Sequence, residues 1–269
     1  MEQIPWSRAV EIIEQHVVRI STPQGSGSGF MISNARVTAI CAIATAAHVV
    51  DHAHYWEEPI RIDHASSGKS VVIRRDERAI RLDINRDTAA ILFNRGELPF
   101  PPEPLGLAPK GMFLKVGNEI GWLGFPAIPA ASLCFFSGRV SAWLQSQSAY
   151  LVDGVAINGV SGGPAFHLLP YEPPAGGERL VAVIGGDEPP AGDQRLVAVV
   201  GVVSAYVPNR ATGEVLPGLS VVRDVSQFHE LAPTFASLDQ ARQAEPPAEP
   251  PQPKPEAERP GEGPVGPAT

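Results

Sequence analysis

The chain has 269 residues, of which 43% are hydrophobic and 19% are charged, and its net charge is −8. This length and apolar content suit one large all-β unit or two packed barrels. A nucleic-acid-binding protein would usually carry a basic surface, so nucleic acid is not expected as a partner. Two cysteines cannot build a disulfide framework, and no apolar stretch approaches the roughly 20 residues of a membrane span. Because the first twenty residues contain no secretory signal, we expect a soluble, cytoplasmic protein that does not enter membranes.

Short apolar runs separated by turn residues follow a predicted N-terminal helix over residues 1–16. The 26 glycines and 28 prolines indicate that the chain turns often. The runs are Val17–Ile20, Gly29–Ile32, Val37–Ile43, Val71–Ile73, Ile80–Ile84, Ala89–Phe93, Phe113–Val116, Glu119–Leu123, Gly138–Trp143, Ala149–Val152, Gly163–Leu168, Val181–Ile184, Val197–Ala205 and Leu219–Val222. A proline-rich connector at 98–104 divides them into two sets. The sequence therefore predicts an all-β protein with two packed, six-stranded-type antiparallel barrels, over residues 17–110 and 111–232.

Two further segments stand apart from this pattern. Residues 172–185 are nearly repeated at 188–201, which indicates a local duplication that adds one strand and one loop. Residues 233–269 form a tail rich in proline and glutamate, with few apolar side chains. Such a tail cannot bury a core, so it is predicted to be disordered with polyproline II character. It is interpreted as a solvating tail, or as a ligand for a partner that recognises proline-rich segments.

The segment from Asn158 to Pro164 places one serine among three glycines. A serine on such a tight turn can have several backbone N–H groups directed at one point. This arrangement serves a nucleophile with an oxyanion hole, because the N–H groups of Gly159 and Ser161 can reach a developing negative oxygen. Taken alone, a glycine-rich loop that contains serine is more often only a loop.

His48 and Asp87 are the groups that such a nucleophile needs. His48 ends an apolar strand after a run of small residues, so its imidazole can be partly buried and still act as a base near pH 7. Asp87 leads directly into the apolar run Ala89–Phe93, where a carboxylate needs a partner such as a histidine N–H. Asp83 competes for this role, and Asp87 is preferred because the apolar run follows it directly. Taken separately, these two residues could be a core histidine and a turn aspartate.

The chain order His, Asp, Ser is the one that chymotrypsin-type proteases use, whereas subtilisins and α/β-hydrolases use other orders. With these motifs, the sequence resembles the trypsin-like serine peptidases, and most closely the bacterial HtrA/Deg-type branch without its PDZ domain. The resemblance covers about residues 16–230. The segments that carry it are Gly25–Ile32, Thr45–Val49, Asp87–Leu92, Gly121–Pro126, Val152–Asp153 and the glycine-rich segment around Ser161.

The resemblance implies a serine endopeptidase with the chymotrypsin-like fold that works through an acyl-enzyme. Ser161 would be the nucleophile, His48 the general base and then general acid, and Asp87 the residue that orients the imidazole. The N–H groups of Gly159 and Ser161 would form the oxyanion hole. No cofactor and no metal are expected, and the expected partner is a peptide or protein substrate.

The resemblance also implies how substrate binds. The residues assigned to substrate binding are Val155, Asn158, Ser204, Ala205 and Tyr206. The segment Val202–Tyr206 resembles the strand that pairs with an extended substrate, and backbone pairing of this kind makes little demand on substrate sequence. Val155 stands where trypsin carries an acid, so a small or medium aliphatic P1 residue is predicted.

The sequence allows three other interpretations. His52 and His54 lie close to His48, which could suggest zinc, but their spacing matches no metal motif and leaves the Ser161 loop unexplained. The fold could be kept as a catalytically silent binding module, with the proline-rich tail as a docking arm. An esterase or another acyl transferase would use the same acyl-enzyme chemistry.

Overall fold

The computed structural model describes residues 5–35, 38–128, 132–169, 197–208 and 215–231. Its helices are α1 (Trp6–Ile13) and α2 (Ala47–Tyr55), with 3-10 helices at Glu14–His16, Arg75–Glu77, Gln145–Gln147 and Ser226–Leu231. Its strands are β1 (Val17–Thr22), β2 (Gly25–Asn34), β3 (Ile40–Thr45), β4 (Ile60–His64), β5 (Ser70–Ile73), β6 (Arg78–Asp83), β7 (Thr88–Asn94), β8 (Glu119–Gly124), β9 (Cys134–Leu144), β10 (Ala149–Asp153), β11 (Pro164–Leu168), β12 (Val197–Pro208) and β13 (Val215–Asp224). The first copy of the duplicated segment and the tail at 233–269 lie outside the described residues.

Strands β1 to β7 form one antiparallel sheet, the first sheet, in the order β5-β4-β1-β2-β3-β7-β6. Its central strands β2 and β3 are buried along nearly their whole length. Successive side chains point to opposite faces, so Met31 and Ile43 enter the first sheet's own core while Phe30 and Ala44 pack into the core shared with the rest of the chain. Burial on both faces explains why these strands read as unbroken runs of small and apolar residues.

The two edges of the first sheet are held together by a side chain. The guanidinium of Arg78, at the start of β6, donates hydrogen bonds of 2.9 Å to the carbonyl of Ile73 in β5 and 2.9 Å to that of Ala53 in α2. A third, of 2.7 Å, reaches the carbonyl of Glu58. The first sheet therefore has seven strands, where about six were predicted. The side chain of Arg78 links its edge strands β5 and β6, which are not joined by a continuous series of backbone hydrogen bonds.

Strands β8 to β13 form the second barrel, which is closed in the order β10-β13-β12-β11-β8-β9. Strand β9 alternates between exposed and half-buried side chains over residues 134–139, as expected where one face of a sheet meets water. The largest apolar cluster fills this barrel, with Trp122, Tyr150 and Phe166 fully buried, and continues into α1 and the first sheet. The predicted all-β fold with two packed barrel-like units is confirmed.

Helix α1 joins the two units. The ring centroid of Trp6 lies 5.5 Å from that of Phe135 and 5.7 Å from that of Phe166, both in the second barrel. A Cβ on Gly121 would lie 2.7 Å from the Trp6 ring, so glycine permits this close contact. Beyond the buried Ile13 the chain enters β1 of the first sheet. No helix within the described ranges is long and apolar enough to cross a membrane.

Candidate active site

His48 and Asp87 meet beside the end of β3 and the start of β7, two neighbouring strands inside the first sheet. His48 lies in the first turn of α2, directly after β3, and Asp87 lies in the turn that precedes β7. The Nδ1–H of His48 faces both carboxylate oxygens of Asp87, at 3.0 Å and 2.9 Å. The backbone N–H of His48 donates a third hydrogen bond of 3.0 Å to the same carboxylate. Asp87 has a φ of 49°, so its carboxylate is held by a left-handed turn that aspartate tolerates better than most residues.

The charges of this pair support each other. Burial lowers the pKa of His48, but the hydrogen bond and the charge of Asp87, with a smaller contribution from Asp51, outweigh burial and raise it. Burial raises the pKa of Asp87, but hydrogen bonds from His48 and Ser204 outweigh burial and lower it. The aspartate therefore stays ionised, and the imidazole takes up a proton more readily than a free histidine.

Ser204 in β12 connects this pair to the second barrel. Its hydroxyl donates a hydrogen bond of 2.5 Å to Oδ2 of Asp87. The Nε–H of Arg223 in β13 donates to the same hydroxyl oxygen at 3.3 Å. Because a guanidinium only donates, the Ser204 oxygen accepts from Arg223, and its hydroxyl hydrogen remains free to be donated to Asp87. Ser204 was predicted to bind substrate, and its side chain contacts the carboxylate of the predicted triad.

The loop that carries Ser161 lies between β10 and β11, against the first sheet. Gly159 and Gly162 both have a φ of 89°, which places the backbone in a region that favours glycine. The backbone N–H of Ser28 in β2 donates to the carbonyl of Ser161 at 2.7 Å. Within the described part of the chain, the N–H groups of Gly159 and Ser161 have no hydrogen-bond partner, so both can donate to a further oxygen.

Ser161 is connected to the His48–Asp87 pair through Ser204. Its hydroxyl donates a hydrogen bond of 3.1 Å to the backbone carbonyl of Ser204. Among the described residues, no hydrogen bond joins Ser161 to His48. Catalytic hydrogen bonds are often long or differently aligned before substrate binds. Rotation of the Ser161 side chain away from the Ser204 carbonyl would free its hydroxyl for another acceptor.

The other predicted substrate-binding residues lie next to this loop. Val155 and Asn158 are exposed, and the carbonyl of Asn158 accepts a hydrogen bond of 2.7 Å from the N–H of Ala127. The backbone of Ala205 and Tyr206 belongs to β12 and pairs with β13. Strand β12 pairs with β11 only as far as Val202. Within the described ranges, no strand pairs with the other edge of β12 at residues 205–206.

The competing residues have other partners. The carboxylate of Asp83 accepts a hydrogen bond of 3.0 Å from the backbone N–H of Arg86 and so caps the β6–β7 turn. Nδ1 of His52 faces Glu58 at 3.1 Å, and Nε2 of His64 faces the carbonyl of Gln15 at 2.8 Å. In the part of the chain that the structure describes, no group of three or more His, Cys, Asp or Glu side chains could hold a metal ion.

Sequence reasoning missed two polar residues that surround the site, Ser28 and Arg223. Ser28 lies within the glycine-rich segment Gly25–Gly29, which was noted only as a family-like strand. A polar side chain inside a strand that is otherwise buried was the available signal, because it needs a partner. Arg223 directly follows the apolar run Leu219–Val222, and its contact with Ser204 depends on the β12–β13 pairing.

Gly162→Ala is expected to destabilise the fold through contacts between the two units. A Cβ at Gly162 would collide with the Ser28 carbonyl and with Oγ1 of Thr45. Left-handed strain of about 1–2 kcal/mol adds to overpacking of about 1–3 kcal/mol. We expect a loss of about 3 kcal/mol, which corresponds to a fall of about 6–12 °C in Tm for a chain of this size. Thermal unfolding followed by calorimetry measures it.

Gly68→Ala is the matched control for this prediction. Gly68 has a φ of 68° but nothing lies within 4 Å of a Cβ built there, so the change adds backbone strain alone. A melting temperature for Gly162→Ala equal to that of Gly68→Ala would mean that the close contact with Ser28 and Thr45 contributes nothing.

A family comparison places the chain in a known class. The model of the trypsin-like peptidase domain matches residues 27–169, more than half of the chain. The chain therefore belongs to the trypsin-like peptidase family and is a serine protease, which confirms the resemblance found in the sequence. No match was found among curated proteins.

Solved structures share the fold at low sequence identity. The chain is similar to Deg5, with a TM-score of 0.55 and 16% identity over 87% of this chain and 94% of that one. It is similar to an inactive mutant form of Rv3671c from M. tuberculosis H37Rv, with a TM-score of 0.52 and 17% identity over 88% and 96% of the two chains. For the serine endoprotease from Yersinia pestis the TM-score is 0.56, with 15% identity over 88% and 68%. At these sequence identities, the similarities show a shared fold and nothing further.

Proposed function

We propose that this serine protease is an endopeptidase in which Ser161, His48 and Asp87 act as a catalytic triad. The observation that carries the proposal is the hydrogen-bonded series that runs from His48 to Asp87, from Asp87 to the Ser204 hydroxyl, and from the Ser204 carbonyl to Ser161. This series brings together the three residues that the chain order His, Asp, Ser singles out. The ionised Asp87 beside Nδ1 of His48 leaves Nε2 as the basic nitrogen.

The proposed reaction passes through an acyl-enzyme. Ser161 Oγ attacks the peptide carbonyl carbon while its proton passes to Nε2 of His48, and Asp87 stabilises the imidazolium that forms. The N–H groups of Gly159 and Ser161 donate to the resulting oxyanion. Collapse of the tetrahedral intermediate breaks the C–N bond, and Nε2 gives its proton to the departing amine. Water, deprotonated by His48, then attacks the ester and restores the Ser161 hydroxyl.

The proposed substrate is an extended peptide that pairs with β12. The backbone of residues 205–206 offers hydrogen-bonding groups at an edge that β11 leaves open, and pairing there adds a strand to the second barrel. Ser220, whose hydroxyl donates a hydrogen bond of 2.6 Å to the Gly154 carbonyl, holds the segment that presents Val155 beside β13. Val155 is exposed by 48% and so can contact a bound side chain.

A small or medium aliphatic P1 residue is the expected preference, because Val155 presents methyl groups and no charge. A peptide-library cleavage profile measures it, with Ser161→Ala as the blank. Val155→Asp should raise the relative cleavage after Arg or Lys by at least about tenfold, because a charge-assisted hydrogen bond contributes about 1.5–3 kcal/mol. A strong preference of the unaltered protein for Arg or Lys would contradict the assignment and would mean that a carboxylate reaches the pocket from elsewhere. The candidates are Asp153, Asp187 and Asp193.

Labelling with a fluorophosphonate tests the proposed function directly. The reagent should add to a single peptide, the one that contains Ser161, and labelling should disappear in Ser161→Ala and in heat-unfolded protein. Absence of labelling in the folded, unaltered chain would favour a catalytically silent binding module. Labelling together with hydrolysis of esters, but with no cleavage anywhere in the peptide library, would favour an esterase.

A further inference from the structure

Ser28 joins the first sheet to the loop that carries Ser161. It lies in β2 and is fully buried. Its hydroxyl donates a hydrogen bond of 2.8 Å to the carbonyl of Gly159 and accepts one of 2.9 Å from the N–H of Phe125. Its backbone N–H donates to the carbonyl of Ser161 at 2.7 Å, and its carbonyl accepts from the hydroxyl of Thr45 at 2.7 Å. Every polar group of Ser28 therefore has a partner, and two of these partners lie in the Ser161 loop.

The four consecutive carbonyls from Asn158 to Ser161 each accept a hydrogen bond. That of Asn158 accepts from Ala127 at 2.7 Å, and that of Val160 accepts from Gly163 at 3.0 Å. The remaining two, of Gly159 and Ser161, both accept from Ser28. Because a peptide unit is planar, fixing its carbonyl also fixes the N–H on its opposite side.

Successive peptide units of this loop alternate between an N–H group that is already hydrogen-bonded and one that is a proposed oxyanion donor. The units whose carbonyls Ser28 holds have N–H groups that are already bonded, that of Val160 to Ile157 at 3.1 Å and that of Gly162 to Val203 at 2.6 Å. The peptide unit between them carries the N–H group of Ser161, and the unit before them carries that of Gly159. These two N–H groups are the proposed oxyanion donors. Ser28 therefore fixes the peptide units that border both donor units.

We infer that Ser28 is a positioning residue for hydrolysis. From β2 of the first sheet, it fixes the orientation of the two N–H groups that donate to the oxyanion. This inference rests on the proposed function, in which Gly159 and Ser161 donate to the oxyanion. The hydroxyl is the group that matters, because it accepts from Phe125 and donates to Gly159 at once. An alanine methyl group does neither, so it leaves the Gly159 carbonyl free to turn.

The experiment compares Ser28→Ala with Ser33→Ala, which removes another buried hydroxyl from the same strand. Kinetics are measured per active site after burst titration with a fluorophosphonate, so that unfolded molecules do not count. We expect kcat of Ser28→Ala to fall by about 10–100-fold, somewhat less than the loss of a whole donor, with KM within about threefold of its original value. Ser33→Ala should leave both constants unchanged.

A transition-state analogue separates positioning from a general structural effect. A peptide trifluoromethyl ketone adds to Ser161 and places an oxyanion between the donors. Its inhibition constant should rise by the same factor by which kcat/KM falls. Ser28→Cys keeps a weaker hydrogen-bonding group. Its kcat/KM should fall less than that of Ser28→Ala, and its inhibition constant should again rise by the same factor. This variant serves as the test if Ser28→Ala does not fold.

The outcomes are distinct. Ser28 variants with unaltered kcat per active site, or with a reduced kcat but an unaltered inhibition constant, would overturn this inference alone. Unaltered protein that neither cleaves peptides nor reacts with the fluorophosphonate at Ser161 would overturn the proposed function on which the inference depends.

Discussion

Replacing His48 with alanine is expected to lower kcat by about 10⁶-fold, as much as replacing Ser161 or replacing both residues together. The reason is that the proposed proton transfer needs both partners at once, so either change removes the whole step. The remaining rate, about 10³–10⁴-fold above that of the uncatalysed reaction, would come from the oxyanion donors and substrate binding. Steady-state hydrolysis of a chromogenic peptide by the two single variants and the double variant measures the effect.

His52→Ala is the matched control for His48→Ala, because His52 lies on the same helix and its Nδ1 faces Glu58 at 3.1 Å. We expect its kcat within about twofold of the original, as for most surface substitutions away from the reacting groups. A double variant markedly slower than either single variant would show that His48 and Ser161 act separately, contrary to the triad.

Asp87→Asn is expected to lower kcat by about 10⁴-fold with little loss of stability, because an amide can hold the imidazole in the wrong tautomer. The carboxylate of Asp87 accepts from Nδ1–H and from the backbone N–H of His48, so it leaves Nε2 as the acceptor. An asparagine amide group can donate to Nδ1, which would put the proton on Nε2 instead. Steady-state kinetics at pH 7–8 measures the loss.

Asp83→Asn separates the two candidate carboxylates. Asp83 caps the β6–β7 turn through the N–H of Arg86 at 3.0 Å, and an asparagine oxygen can make the same bond. We expect kcat to stay within about twofold of its original value. Full activity of Asp87→Asn combined with a large loss in Asp83→Asn would reverse the assignment.

The architecture could be predicted because short apolar runs and turn residues are local signals. The run Ala89–Phe93 lies within β7, and Val197–Ala205 lies within β12. The run Phe113–Val116 forms no strand, because only Leu114 is buried while Phe113 and Val116 face solvent and the chain turns at Gly117. Local pattern alone does not show whether an apolar run will find a partner strand.

Helix α2 was missed for a different reason. Its nine residues carry Asp51, His52 and His54 on the solvent side, and only Ala47, Val50 and Ala53 are buried. So few apolar positions give a weak helical period, and helices this short gain most of their stability from packing.

The site was predictable only where its chemistry is carried by local motifs. The glycine-rich loop and the histidine and aspartate segments identified Ser161, His48 and Asp87 as candidates. The bond between Ser28 and Gly159 spans 131 positions of sequence, and that between Ser204 and Asp87 spans 117. Such contacts depend on how the first sheet packs against the second barrel, and no local pattern encodes that packing.

The closure of the second barrel bears on protein synthesis. Strand β13 pairs with β10 on one side and with β12 on the other, so the barrel that carries the Ser161 loop stays open until Asp224 has been made. At about 5–20 residues per second, the roughly 60 residues between Ser161 and Asp224 take about 3–12 s to emerge from the ribosome. During that interval the nascent chain already contains His48, Asp87 and Ser161, but the second barrel is not yet closed. The order of strands thus places closure of the second barrel after the synthesis of His48, Asp87 and Ser161, the three proposed reacting residues.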